Sequence, residues 1–480
     1  MKKMKTRILL LLALLMVSAV GAKAEDVLYA VKSGTSITIK FGEAEAGALT
    51  YDESDAWLGT PSALTSATFD ASCAGFNGTT LESLFANCSN LSNITGIENL
   101  NTSKVESMWN MFAGCTALTS LDLRSFDMSN VKTTTTMFFA CLSLATLYVG
   151  NWNTANVTDM SYMFTYCPME TLDLSGWNTA KVTNMTCMFH SCSNLTSIFV
   201  GDGWTTAAVF SSDNMFQYCS AIVGERGTTF NSSNITADYA HFGAGGYLRN
   251  NYLYDDADDD SRVVEWDGKT FGAVKISGRK LKAGHWNTLY LPFDLDADQI
   301  AANFPAGTVV RTLDYCSNDG TTLTIAFADV AAMEAGTPYI VHIPAGEDIT
   351  DPVFRNVVIQ NVDKIINKGD AWFTGFYYSQ DLMSDRHVLF LQDDKLYYPS
   401  ATTTVNAFRG FFALSTEAPE TTASANIIID WGDGETTAIE GVDNGQLTAD
   451  GWYTLQGVKL DGKPTEKGIY IINGKKVAVQ

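Results

Sequence analysis

The stretch CMFHSC, residues 187–192, places Cys187, His190 and Cys192 close enough to begin a zinc or thiol-redox site. A structural zinc site needs four ligands, so the assignment depends on what neighbouring sequence does with the same positions. Six segments align: LFANC (84–88), MFAGC (111–115), MFFAC (137–141), MFTYC (163–167), MFHSC (188–192) and MFQYC (215–219). Their cysteines lie 27, 26, 26, 25 and 27 residues apart. In this register His190 stands where Ala113, Phe139, Thr165 and Gln217 stand, and Cys187 where Ser83, Asn110, Thr136, Tyr162 and Asn214 stand. Only Cys192 belongs to the repeat. With no fourth ligand nearby, His190 reads as a surface residue and Cys187 as a free thiol, and no metal or other cofactor is expected.

Other chemistry is sparser. Asp256, Asp258, Asp260 and Asp267 fall at positions 1, 3, 5 and 12 of a calcium-loop template. Ser261 takes the place of its glycine and Asp267 that of its glutamate, so a solvated linker is the preferred reading. The five histidines, at 190, 241, 285, 342 and 387, form no HExxH, and GxSxG and Walker-type loops are missing. Paired carboxylates, Asp255 with Asp256 and Asp393 with Asp394, sit in linker or turn settings. A glycosidase needs only two carboxylates and no motif, so hydrolysis stays open as the alternative to a non-catalytic role.

The elements that would position these residues come from the repeat. In METLDLSGWNTAKVTNMTCMFHSC (169–192), Leu172 and Leu174 alternate with Asp173 as in a short strand. Val182, Met185, Met188, Phe189 and Cys192 recur at three- and four-residue steps and predict a short amphipathic helix, with Thr179, Ser129 and Ser103 in the capping regions of their repeats. Each unit is expected to be strand, turn, helix, and must stack on its neighbours to bury an apolar face. Stacked cysteines about 4.8 Å apart suit a packed thiol ladder, although export would favour one or two adjacent disulfides. Cys73 and Cys316 lie outside that ladder. Phe126, Trp152, Trp177 and Trp204, spaced 26, 25 and 27 apart, form a second, structural ladder. Outward strand positions give the candidate binding residues Asp122, Arg124, Tyr148, Asp173, Ser175 and Phe199, a varied row on a constant frame, though any solvated face varies in the same way.

The segments LTSLDLRSFDMSNV, NWNTANVTDMSYMFTYC and LDLSGWNTAKVTNMTCMFHSC resemble the BspA-type leucine-rich-repeat surface proteins over residues 64–222. ITGIENLNTSKVESMWNMF resembles that family's opening repeat, while GWTTAAVFSSDNMFQYC departs from the pattern as a terminal coil would. The resemblance implies a secreted or outer-surface protein of a Gram-negative bacterium, engaged in adhesion to host proteins, cells or glycoconjugates, without catalytic residues. WNTLYLPFDL, GTPYIV and LYYPSATTTVNAFRGFFAL resemble β-domains near the ends of large secreted proteins of the same bacterial group. IIIDWGDGE (427–435) resembles the FGDG motif of PKD-type sandwiches. The tail WYTLQGVKLDGKPTEKGIYIINGKKVAVQ, with Asn473-Gly474 as a tight turn, resembles type IX sorting domains. A β module without sorting function is the alternative for that tail.

Residues 1–24 read as a secretory leader: four early basic residues, an apolar run from Ile8 to Val17, then Ala22-Lys23-Ala24. Cleavage would leave 456 residues and move the net charge from −22 to −27, because the leader holds five basic residues and no acid. Nucleic acid is therefore excluded as a partner, and no later apolar run predicts a membrane-spanning segment. Short strand patterns such as NTLYLPFDL, TLTIAFADV and the HVLFL/LYY hairpin predict an antiparallel sandwich in the second half.

The expected architecture is a mixed α/β solenoid, leucine-rich-repeat-like with repeats of about 26 residues, then an all-β sandwich-like domain and a short C-terminal β module. The boundaries are leader 1–24, N-terminal β cap 25–63, solenoid with terminal cap 64–250, acidic linker 251–261, sandwich 262–425 and C-terminal module 426–480. The expected function is that of a secreted or surface-attached adhesin-like protein that binds an extracellular protein or glycan through the solenoid. The alternative is a carbohydrate-active accessory protein or hydrolase with its site in the C-terminal β domain.

Overall fold

A computed structural model describes residues 26–53, 57–382, 386–399, 402–418 and 426–432, and the strands 436–440, 452–453, 459–460, 468–472 and 475–479. The leader and the Asn473-Gly474 turn lie outside the described residues. The chain divides into two compact units, 1–251 and 252–480.

The first unit is a repeat solenoid. It begins with the antiparallel hairpin Val27–Ser33 and Ser36–Gly42, whose second strand runs parallel to Ser66–Phe69 and through it to Asn93–Thr95. Later coils contribute the parallel pair Ser120–Asp122 and Thr146–Tyr148, then Thr171–Leu174, Ser197–Val200 and Arg249–Asn250. A second parallel ladder contributes one residue per coil, through Thr80, Ser107, Thr133, Asp159, Asn184 and Ser211.

The expected helix is not formed. Between Val182 and Cys192 the amides of Met185, Cys187, Phe189 and Ser191 donate to Ser211, Asp213, Met215 and Gln217 of the next coil. The intervening amides of Met188, His190 and Cys192 donate three residues back, to Met185, Cys187 and Phe189. An α-helix would direct every amide four residues back within its own segment. Consecutive tight turns repeat every three or four residues as a helix does, so the apolar spacing fits both and only the hydrogen-bond partners differ. Cys187 and Ser191 take the left-handed backbone these turns need (φ 54° and 59°). Thr179 is not a helix cap either: its buried hydroxyl donates to Thr205 O (2.6 Å) and accepts from Thr205 N (2.7 Å), tying one coil to the next.

Side chains stack as the backbone does. Phe85, Phe112, Phe138, Phe164, Phe189 and Phe216 form a run of stacked rings with centroids 5.5–5.8 Å apart. Trp152 and Trp177 stack at 5.8 Å, and their indole N–H groups donate to Leu123 O and Val149 O. All nine cysteines are buried and unpaired with one another. Cys115, Cys141, Cys167, Cys192 and Cys219 each donate to a phenylalanine carbonyl of the preceding coil at 2.9–3.3 Å. Uniform stacking serves each thiol without pairing it.

The second unit is built on two sheets. One joins Trp286–Tyr290, Pro338–His342, Val309–Asn318, Thr322–Asp329, Asn426–Asp430 and Thr436–Glu440. The other joins Ile366–Lys368, Ala371–Phe376, Arg409–Leu414, Val388–Gln392 and Lys395–Tyr397. Leu313, Ile325 and Ile340 of the first share a core with Phe373, Leu389 and Phe412 of the second. In the HVLFL/LYY hairpin, Asp393 and Asp394 both have positive φ (51° and 59°), as a primed two-residue turn requires.

Two expected boundaries shift. The acidic stretch is not a linker: Tyr252–Tyr254 pairs in parallel with Thr270–Ser277, Asp255 is 2% exposed, and Ser261–Trp266 is helical. The IIIDWGDGE strand Asn426–Asp430 runs parallel to Thr322–Asp329, so it extends the sandwich instead of opening a separate module. The last strands form a four-stranded sheet of their own. Among the described residues no helix is long and apolar enough to cross a membrane.

Replacing Trp177 by alanine removes a 1%-exposed ring from its ladder and is expected to cost about 3–5 kcal/mol, read as a lower denaturant midpoint. A second expectation concerns alkaline pH. Burial pushes the thiols of Cys88, Cys141 and Cys219 from 9.0 up to about 12, so the neutral thiol is the folded form. Their contribution to stability is complete below pH 9 and is lost as pH rises towards 12, because the unfolded chain ionises first. Denaturant midpoints should therefore fall above pH 9, and a midpoint that stays level would contradict the buried-thiol account.

Candidate functional site

The six outward strand positions divide into two groups. Asp122 and Arg124 are exposed and Tyr148 is half-buried on the next strand, directly opposite Asp122. Arg124 grips Asp122 in a fork, Nη2 to Oδ2 at 2.6 Å and Nε to Oδ1 at 3.0 Å, and lies 5.1 Å from the centre of the Tyr148 ring. Burial alone would push the Asp122 carboxyl up, but hydrogen bonds from Arg124 hold it below its ordinary value. These three side chains form one polar and aromatic patch.

Of the other three, Ser175 and Phe199 do not stand outward as expected. Asp173 is half-buried and its carboxylate accepts the amide of Ser175 at 2.9 Å. Ser175 is 6% exposed and Phe199 only 2%. All four residues of Ser197–Val200 are buried, because Arg249–Asn250 pairs beside them and the Arg249 guanidinium lies 5.5 Å over the Phe199 ring. The strand that covers Phe199, Arg249–Asn250, lies beyond the last repeat.

The CMFHSC residues point to three separate environments. Cys192 joins the thiol ladder, Cys187 bonds Asp213 O at 3.7 Å, and His190 Nδ1 pairs with Ser191 Oγ at 3.0 Å. No group of three or more His, Cys, Asp or Glu side chains among the described residues could hold one metal ion, which includes the aspartates of the calcium-loop template.

His190 instead belongs to a surface feature that the sequence reading missed. Phe139, Tyr166, His190 and Tyr218, one from each of four successive coils, meet edge to face at 5.9, 5.8 and 5.4 Å. Tyr166 and Tyr218 are 46% and 59% exposed. The row escapes a column-by-column comparison because its members alternate between the two variable places of MFxxC: Phe139 and His190 fill the first, Tyr166 and Tyr218 the second. Neither column is aromatic throughout. In the second column, where Asn87 and Gly114 suit left-handed backbone, Tyr166 and Tyr218 hold φ of 65° against their intrinsic preference. Trp109, at 42% exposed, and Tyr162, at 39%, add two rings on neighbouring turns. Partly exposed rings with a phenol hydroxyl offer an apolar face and a hydrogen-bonding rim, the combination used to bind sugars and protein side chains.

A family model described as "Mycoplasma protein of unknown function, DUF285" matches residues 76–148 and 145–251. The chain is thus similar to that family over the coils that carry the ladders. No curated protein matches the chain. Among solved structures, a leucine-rich repeat protein from Bacteroides ovatus is similar at 12% identity, over 42% of this chain and 82% of that one, with a TM-score of 0.15.

The burial pattern separates these residues experimentally. Phe199→Ala is expected to lower stability by about 3–5 kcal/mol, whereas Tyr148→Ala costs under about 1.5 kcal/mol. Tyr218→Asn, which places an amide-bearing residue in the same left-handed turn, should leave the denaturant midpoint within about 0.5 kcal/mol of the parent.

Proposed function

We propose that the protein is a secreted or surface-displayed, non-catalytic binding protein whose solenoid recognises an extracellular glycan or protein. The observation that carries this reading is the edge-to-face row Phe139, Tyr166, His190 and Tyr218, which runs across four coils with the two tyrosines exposed and Phe139 and His190 half-buried beside them. Contiguous exposed aromatics are costly to keep in water unless something covers them. The Asp122, Arg124 and Tyr148 patch is a second contact surface on the same unit.

The basic and apolar leader sequence supports export, and the tail, with its resemblance to type IX sorting domains, supports delivery to the outer surface of a Gram-negative cell. A non-catalytic role is supported by the state of the paired carboxylates. Asp393 pairs with Lys282, Asp394 accepts from His285 Nδ1 and Trp286 N, and Asp255 is taken by Arg409 and Asn406. Each of these three carboxylates is accounted for by a partner that the fold itself supplies.

Full-length protein is screened against arrays of matrix proteins, mucin and plant glycans, with product release followed in the same assay. The expected outcome is saturable binding without turnover, weakened at least tenfold in Tyr166→Ala and Tyr218→Asn. A loss confined to Asp122→Ala and Tyr148→Ala would transfer recognition to the strand face. Release of sugar or peptide would overturn the non-catalytic reading.

A further inference from the structure

The second unit contains a cavity of about 430 Å³ that the solenoid reading leaves without a role. Its lining carries four cations, Arg279, Lys280, Lys282 and Arg409, against one carboxylate, Asp393. That is a local inversion of sign in a chain of net charge −22. The two lysines have partners at the rim, Lys280 with Asp348 and Lys282 with Asp393, and remain about half exposed.

The arginines are the unusual pair. Arg279 has 6% of its side chain exposed. Its Nη2 donates to Thr288 O at 2.6 Å and its Nη1 to Lys280 O at 3.3 Å, but its buried Nε makes no hydrogen bond. The nearest carboxylate oxygen, Asp255 Oδ1, is 4.0 Å from that Nε. Asp255 is already engaged: Arg409 holds both of its oxygens, at 2.5 and 3.0 Å, and Asn406 adds a third bond at 3.0 Å. One buried carboxylate therefore serves two guanidinium groups. Burial, and then the neighbouring Arg409 charge, pull the Arg279 guanidinium down from 12.5 to about 9, with Asp255 opposing them only in part.

We propose that this cavity binds an acidic sugar, a small hydroxyl-rich ligand whose carboxylate or sulfate is received by Arg409 and neutralises the charge that Arg279 places behind it. Arg409 is a quarter exposed and lines the cavity, so it can reach a ligand while keeping its hold on Asp255. Arginine is the side chain best suited to a planar or multidentate oxyanion. The remaining walls fit the rest of such a ligand: Trp286 and Phe390 supply aromatic surface, and Gln392, Thr404 and Asn406 supply polar groups. The volume falls within the range of small-ligand sites, roughly 300–1,000 Å³. Because the whole chain repels anions at long range, a site built for one must rely on short-range complementarity of this kind.

Every residue named lies in the 252–480 unit, so this assignment stands or falls apart from the solenoid proposal. Binding of glucuronate, a 6-sulfated hexosamine, glucose and inorganic sulfate to full-length protein is measured by titration calorimetry at low and high salt. Glucuronate or the sulfated sugar should bind saturably, glucose should not, and affinity should fall with salt. The arm that binds tells carboxylate from sulfate. Arg409→Gln should weaken binding at least tenfold; if that variant does not fold, Lys282→Gln at the exposed rim should weaken it several-fold. Tyr218→Asn should leave it unchanged. Equal binding of glucose, binding of inorganic sulfate as tight as that of either sugar, or no binding of any acid would each overturn the proposal.

Discussion

The solenoid depends on one hydrogen-bonding arrangement, amides that alternate between the next coil and the residue three positions back. At Met160, Tyr162, Phe164 and Tyr166 the donors reach Asn184, Thr186, Met188 and His190, while Met163, Thr165 and Cys167 close turns within their own coil. The first set fixes the register between coils and the second fixes the path within each. Once both are set, equivalent side chains must lie above one another. The phenylalanine, tryptophan and cysteine ladders follow from the backbone and then reinforce it, since each ring or thiol fills the space beside its copy.

The chain's repetition was legible in its sequence because a ladder leaves the same residue type at the same spacing. The cysteine register, the Phe126 to Trp204 column and the parallel strands around Leu121, Leu147, Leu172 and Ile198 are all of this kind. The conformation of the MFxxC segment was not legible, because tight turns and helical turns place apolar residues at the same intervals. Burial of Phe199 was hidden for a different reason: the strand that covers it, Arg249–Asn250, lies some fifty residues further along, beyond the repeats. The aromatic row was hidden by alternation between columns, a regularity that belongs to the surface and not to the register.

In the second unit the local signals held while the longer-range ones did not. The Asp393-Asp394 turn and its flanking strands could be read from a dozen residues. The parallel addition of Asn426–Asp430 beside Thr322–Asp329 joins segments about a hundred residues apart, and nothing in either strand announces the other. Asp255 shows the same limit. In sequence it opens a solvated acidic run, and in the fold it is the buried anchor of Arg409, 154 residues away.

The ends of the phenylalanine ladder differ from its interior. Within the run the rings are nearly parallel, but Phe69 meets Phe85 at 82° and Tyr247 meets Phe216 at 73°. A ring set edge-on cannot accept another in the parallel stack, so each end presents a surface on which no further coil can be laid. Between Phe85 and Phe216 every neighbouring pair of rings is stacked, so a coil duplicated or deleted there would meet the same kind of junction. A lineage of such proteins could lengthen or shorten its repeat surface one ring at a time while both terminal caps stayed as they are.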